Sequence, residues 1–148
     1  MTGPPRPGAD AGTATLFILG LAVALLAFTG LAVDGGLAFA LRREAANIAE
    51  EATRAGVQQV DQVALREGKI TVDPARAEAA ALARANTLIA DSGYTGRADG
   101  ATCAALRCTI QVRLERDTAL LGLVGKPHMT ASVQRSTRLA VGIEREDQ

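Results

Sequence analysis

From Ala14 to Val33 the chain reads ATLFILGLAVALLAFTGLAV, without one charged residue. Twenty residues at about 1.5 Å each reach about 30 Å, the thickness of a bilayer's hydrocarbon core. Lipid offers the backbone no hydrogen bonds, so a run this apolar is helical when it spans. Gly20 and Gly30 are tolerated there, and Asp34 ends the run abruptly. A buried helix of a soluble protein is disfavoured, because no comparable apolar mass follows to surround it. A cleaved signal peptide is the main alternative, with a shorter apolar core of about 7–15 residues behind a basic segment. The leader MTGPPRPGADAG carries only Arg6, and no compelling cleavage site directly follows the run; Ala38-Phe39-Ala40 fits the small-x-small pattern but lies well downstream. Residues 1–13 are therefore expected to be a leader and 14–33 a transmembrane helix.

The remainder of the 148 residues leaves room for one small domain. Sixteen Lys and Arg balance sixteen Asp and Glu, which argues against the basic surface of a nucleic-acid binder. Three Phe, one Tyr and no Trp make a stacking platform for bases improbable. One His and two Cys are too few for a four-ligand zinc site built of those residues. His128 reads as a surface residue, and neither G-x-S-x-G nor a Walker-type glycine loop occurs. Asp91 and Asp99 border one turn region, a proximity that chance explains among sixteen acids. The expectation is a protein that is not an enzyme, with no cofactor, no metal and no nucleic-acid partner.

Beyond the anchor, Leu41, Ala45, Ile48, Ala52 and Ala55 recur at spacings of three and four, with Val60 and Val63 drifting after them. This predicts a helix continuous from the apolar run to about Glu67, bent near Gly35-Gly36 and closed by Gly68. Asp73-Pro74 is a helix start, since Asp caps free N–H groups and Pro at the first position loses nothing. The second helix runs to about Asp91, with Ala75, Ala79, Leu82, Ala83, Asn86 and Ile89 on its expected inner face, and pairs with the first as a hairpin. Residues 34–92 thus form a helical stalk. After Gly93, Tyr94-Thr95-Gly96 and Asp99-Gly100 read as turns. Cys108, Ile110, Val112 and Leu114 alternate with polar residues as in a half-buried strand. A second strand is expected over Met129–Val141, with Leu120–Val124 as an apolar patch between the two. The fold class is α+β, with a small antiparallel sheet in residues 93–148 packed on the helices.

Cys103 and Cys108 enclose four residues. A short-loop disulfide in an oxidising compartment is the natural pairing, contributing about 1–3 kcal/mol; two free thiols acting as small apolar residues are the alternative. The Ala-rich stripe reflects either composition or tight lateral packing between copies. Gly20-x-x-x-Ala24 and Ala32-x-x-x-Gly36 have the small-x-x-x-small spacing of packed membrane helices. Asp34 is either a water-side boundary or the partner of a cation on a neighbouring subunit. Arg42 and Arg43 after the run, against Arg6 before it, lean towards an outside N-terminus by the positive-inside rule, while the cysteine pair favours an outside body.

Gly12-Thr13-Ala14-Thr15, the apolar run, Val33-Asp34-Gly35-Gly36, Leu41-Arg42-Arg43-Glu44-Ala45-Ala46-Asn47 and Ala52-x-x-Ala55-Gly56 together resemble the Tad/Flp pilus-assembly TadE/TadG-like proteins, most closely the Ala-rich actinobacterial kind. Ile110-x-Val112, Leu121-Gly122-Leu123-Val124-Gly125 and Thr130-Ala131-Ser132-Val133 are similar as well. The resemblance implies a non-enzymatic, pseudopilin-like component that is anchored in the cytoplasmic membrane by a single pass, with a cytoplasmic leader and an extracytoplasmic body. Its partners would be other pilus or secretion components, the bilayer, and further copies through the N-terminal helix. Gly20, Ala24 and Asp34 would serve lateral packing, and Cys103 with Cys108 folding. Many such proteins carry a Glu near the start of the apolar run, where a peptidase processes them. Here the stretch Gly12–Phe17 has none, which implies an intact anchor of the TadG-like kind. The alternative function is a secreted binding module released by signal cleavage.

Overall fold

The computed structural model describes residues 10–140. Positions 1–9 of the leader and Val141, assigned above to the last strand, lie outside the described residues. The first helix, α1, runs over Asp10–Val57 without interruption, passing Gly35 and Gly36. Its 48 residues span about 72 Å. The N-terminal part presents Leu16, Phe17, Ile18, Leu26 and Phe28 outward, uncovered by the rest of the described residues. The C-terminal part buries Leu41, Ala45, Ile48, Ala49, Ala52 and Val57. One helix therefore carries the apolar run at one end and a wall of the core at the other.

The helix stops ten residues before the expected end at Glu67, because its successor has a start of its own. Asp61 Oδ1 accepts from the N–H groups of Val63, at 2.8 Å, and Ala64, at 3.2 Å. That cap opens a short helix, α2, over Gln62–Arg66. Val60 meanwhile bridges to Val72, and Asp61 N donates to Thr71 O at 2.9 Å. Gly68, at φ 77°, follows α2 and not the long helix.

The third helix, α3, covers Pro74–Asp91, with Asp73 accepting from Arg76 N at 3.2 Å and Pro in the first turn. These are the expected bounds and the expected cap. The inner face differs: Ala77, Ala81, Ala85 and Ile89 are buried, while Ala75, Ala79, Ala83 and Asn86 are exposed. Contact with α1 includes an ion pair between Arg84 and Glu51.

Three strands follow: β1 Thr95–Ala104, β2 Arg107–Asp117 and β3 His128–Arg138. They form one antiparallel sheet in chain order, with β2 central. Cys108, Ile110, Val112 and Leu114 face inward from β2, as the alternation predicts, and Ala131 and Val133 join them from β3. β3 ends at Arg138, short of the expected Val141. β1 occupies a stretch that reads as turns. Gly96 fits there because a side chain would collide with the Arg113 carbonyl and with Leu114 Cδ2, 2.6 Å from its Cβ position. The ladder shifts register between Ala98 and Gly100, where Gly100 takes φ 138°. The fold is α+β, with the sheet against α1 and α3.

Candidate functional site

Where the apolar run ends, α1 is joined to the β2–β3 connection by one side chain. Asp34 is 1% exposed. Its Oδ1 accepts from Ala119 N at 2.7 Å, and its Oδ2 from Leu120 N at 3.0 Å and Leu121 N at 2.6 Å. These are the unpaired N–H groups that lead into a 3₁₀ turn over Leu121–Val124. An isolated helical start leaves such donors without partners, and a carboxylate is their strongest acceptor. One turn earlier on α1, Leu120 covers Gly30, with Cδ1 at 3.1 Å and Cβ at 3.2 Å from the position a Gly30 Cβ would take. The loop closes through Thr118, whose N–H donates to Pro127 O at 2.9 Å and whose hydroxyl donates to Lys126 O at 2.6 Å.

Burial alone would push the Asp34 carboxyl up; the three N–H donors, helped by the positive charge of Arg116, outweigh it and hold the group below the ordinary carboxylate value. Asp34 is therefore ionised at neutral pH and committed to its own chain. It is neither a bare water-side boundary nor exposed to a neighbour's cation. Sequence reasoning missed this because the partners lie 85 to 87 residues away, and nothing local to Val33-Asp34-Gly35 signals them.

The other expected packing residues stand apart from this junction. Gly20 and Ala24 are exposed on α1, and among the described residues, α1's own backbone aside, nothing lies within 4 Å of a Cβ placed on Gly20 or Gly36. That face is open. Cys103 and Cys108 sit opposite each other across the β1–β2 hairpin, joined as a disulfide, with both residues buried. Beneath them lies Gly56 of α1, where a Cβ would come 2.6 Å from Cys108 Sγ and 3.1 Å from Ala77 O. Helix, helix and strand thus meet at a residue that must lack a side chain.

Asp99 and His128 each pair with side chains of the sheet. Asp99 in β1 accepts from Arg97 Nε at 2.6 Å and lies 3.3 Å from Arg113 Nε. Hydrogen bonding to Arg97, followed by the charges of both arginines, holds Asp99 below the ordinary value despite desolvation. Asp91 is exposed at the end of α3, and Asp99 is engaged by arginines of β1 and β2. His128 Nδ1 is 2.7 Å from Asp117 Oδ1, and both side chains are exposed. Among the described residues no three His, Cys, Asp or Glu side chains converge on a metal position.

Residues 12–59 match the family model described as Flp pilus-assembly TadE/G-like. The match runs from the start of the apolar run through Asp34 and Gly56 to just beyond the end of α1. It bears out the resemblance drawn from these residues and supports a role in pilus assembly. Among the described residues α1 is one helix long and apolar enough to cross a membrane, which makes it a candidate span. No curated protein and no solved structure matches the chain.

Proposed function

We propose that the chain is a membrane-anchored, pseudopilin-like, non-enzymatic component that assists assembly of a Tad/Flp-type pilus or secretion machine. Residues 14–33 cross the cytoplasmic membrane once, the leader is cytoplasmic, and the body is extracytoplasmic. The observation that carries this reading is the match over residues 12–59, which covers the apolar run and the core-forming part of the same helix. α3 folds back along α1 as a hairpin, and the disulfide closes the β1–β2 hairpin in an oxidising compartment. The partners are other pilus components, approached along the bilayer by the open Gly20–Ala24 face and above it by the body.

An intact anchor is favoured over signal cleavage. Cutting after Ala40 would remove Asp34 and strand the N–H groups of residues 119–121. Cutting after Val33 would strip Gly30 from Leu120. The test is affinity capture of the full chain from crosslinked native membranes. Recovery of pilus or secretion components is expected; recovery of none, with the mature chain in the medium, would overturn the proposal.

A further inference from the structure

The membrane-proximal end of the sheet holds an apolar loop that the body leaves uncovered. Leu123, in the 3₁₀ turn, is 85% exposed, more than any of the large exposed hydrophobic residues on the candidate span. Leu120 is 40% exposed although it packs on Gly30. Gly30 lies three residues inside the run's last residue, Val33, a depth of about 4–5 Å along the helix axis. The loop is held rigidly at that level, because Asp34 takes three consecutive N–H groups from it. At the same end of the sheet stand the chain's one Tyr, basic Arg116, and the acidic Glu115 and Asp117, the latter paired with His128. Arg116 lies over the Tyr94 ring at 5.7 Å, and Lys126 follows Gly125, the residue that caps the turn. Apolar tips bounded by Tyr, Arg and Lys are the composition of a segment seated at the headgroup boundary, where aromatic rings and long cationic side chains bridge lipid and water.

We propose that the β2–β3 loop is a second membrane contact, with Leu120 and Leu123 entering the acyl region of the leaflet on the body's side while Arg116 and Lys126 meet lipid phosphates. The occupant of this apolar surface is lipid, because the surface is continuous with the span through the Leu120–Gly30 contact. The body is thereby held upright on the bilayer, its tilt set by two contacts instead of one. This rests on residues 14–33 spanning, which is tested separately in the same experiment.

The full chain is reconstituted into vesicles of phosphatidylethanolamine and phosphatidylglycerol. Single variants Leu123→Cys, Leu25→Cys and Gln62→Cys carry an environment-sensitive fluorophore, the native disulfide leaving the introduced thiol to be labelled. Quenching is read from iodide in the water and from nitroxide lipids labelled high or deep on the acyl chain. The expected result is that the Leu123 probe loses most of its iodide quenching and is quenched by the shallow nitroxide, the Leu25 probe by the deep one, and the Gln62 probe by iodide alone. If the Leu25 probe is quenched by lipid but the Leu123 probe stays open to iodide, the loop contact is wrong and the anchor stands. If the Leu25 probe is also open to iodide, the spanning reading itself fails. A Leu123 probe open to iodide in these vesicles yet shielded in native membranes would mean that a protein covers the loop, which also overturns the proposal.

Discussion

Leu121 N donates to Asp34 Oδ2 at 2.6 Å across 87 residues of chain, and through that bond the β2–β3 connection at one end of the sheet is fastened to α1. Ala119 and Leu120 add two further N–H groups to the same carboxylate. A buried carboxylate and a row of free N–H groups are each costly alone, and together they satisfy one another. The body therefore cannot swing freely on its helix.

Replacing Asp34 separates charge from shape. Asp34→Ala is expected to lower the melting temperature in detergent by several degrees and to release residues 118–127 to rapid amide exchange. Asp34→Asn, which keeps one acceptor oxygen but turns an N–H₂ towards donors, should fall between the two. An Asp34→Ala protein whose loop amides exchange as slowly as the parent's would show that the loop is held by other contacts.

The same pair sets an acid limit. Asp34 sits below its ordinary value in the folded chain, so its contribution is complete above the unfolded-chain carboxylate value and is lost as pH falls through the lower folded one. The Leu121 amide resonance should hold still from neutral pH down through the ordinary carboxylate range and move only below it. Movement at a higher pH would contradict the three-donor arrangement.

Gly56 and Gly36 make a contrasting pair on one helix. Gly56→Ala drives a methyl to 2.6 Å from Cys108 Sγ and 3.1 Å from the Ala77 carbonyl, an overpacking that costs about 1–3 kcal/mol. Gly36→Ala meets nothing within 4 Å and should stabilise by about 0.5–1 kcal/mol through helix propensity. Denaturant titration of both variants reads the opposite signs.

The hydroxyls of Thr53 and Thr137 share a hydrogen bond of 2.7 Å between α1 and β3, with Thr53 fully buried and also donating to Glu50 O at 2.8 Å. Thr53→Val should cost about 0.5–1.5 kcal/mol. Adding Thr137→Val should cost less than the sum of the two single changes, since neither hydroxyl is then left facing an apolar group. Additive losses in the double-mutant cycle would mean that the pair is not coupled.

Residues differ in how far their local pattern announces their place. The apolar run, the Asp73-Pro74 helix start and the alternation from Cys108 to Leu114 are legible because each depends on neighbours within a few positions. β1 is hidden because Gly96, Asp99 and Gly100 suit turns; it becomes a strand through pairing with β2 and the close approach of Leu114. The face of α3 is ambiguous because alanines occupy both sides, and the choice of Ala77, Ala81 and Ala85 is made by what packs against them. The helix break after Val57 lies in the Val60–Val72 bridge and the Asp61 cap, which periodicity does not register. At the junction, Asp34 is visible as a boundary but its loop partners are not.

The proposed topology is a single pass with the body outside the cytoplasmic membrane. A small maleimide that cannot cross that membrane, applied to intact cells, distinguishes the two sides. Cysteine replacing exposed Gln134 on β3 is expected to be labelled at once, and cysteine in the leader, residues 1–13, only after permeabilisation. Labelling of the leader with protection of Gln134→Cys would contradict the topology.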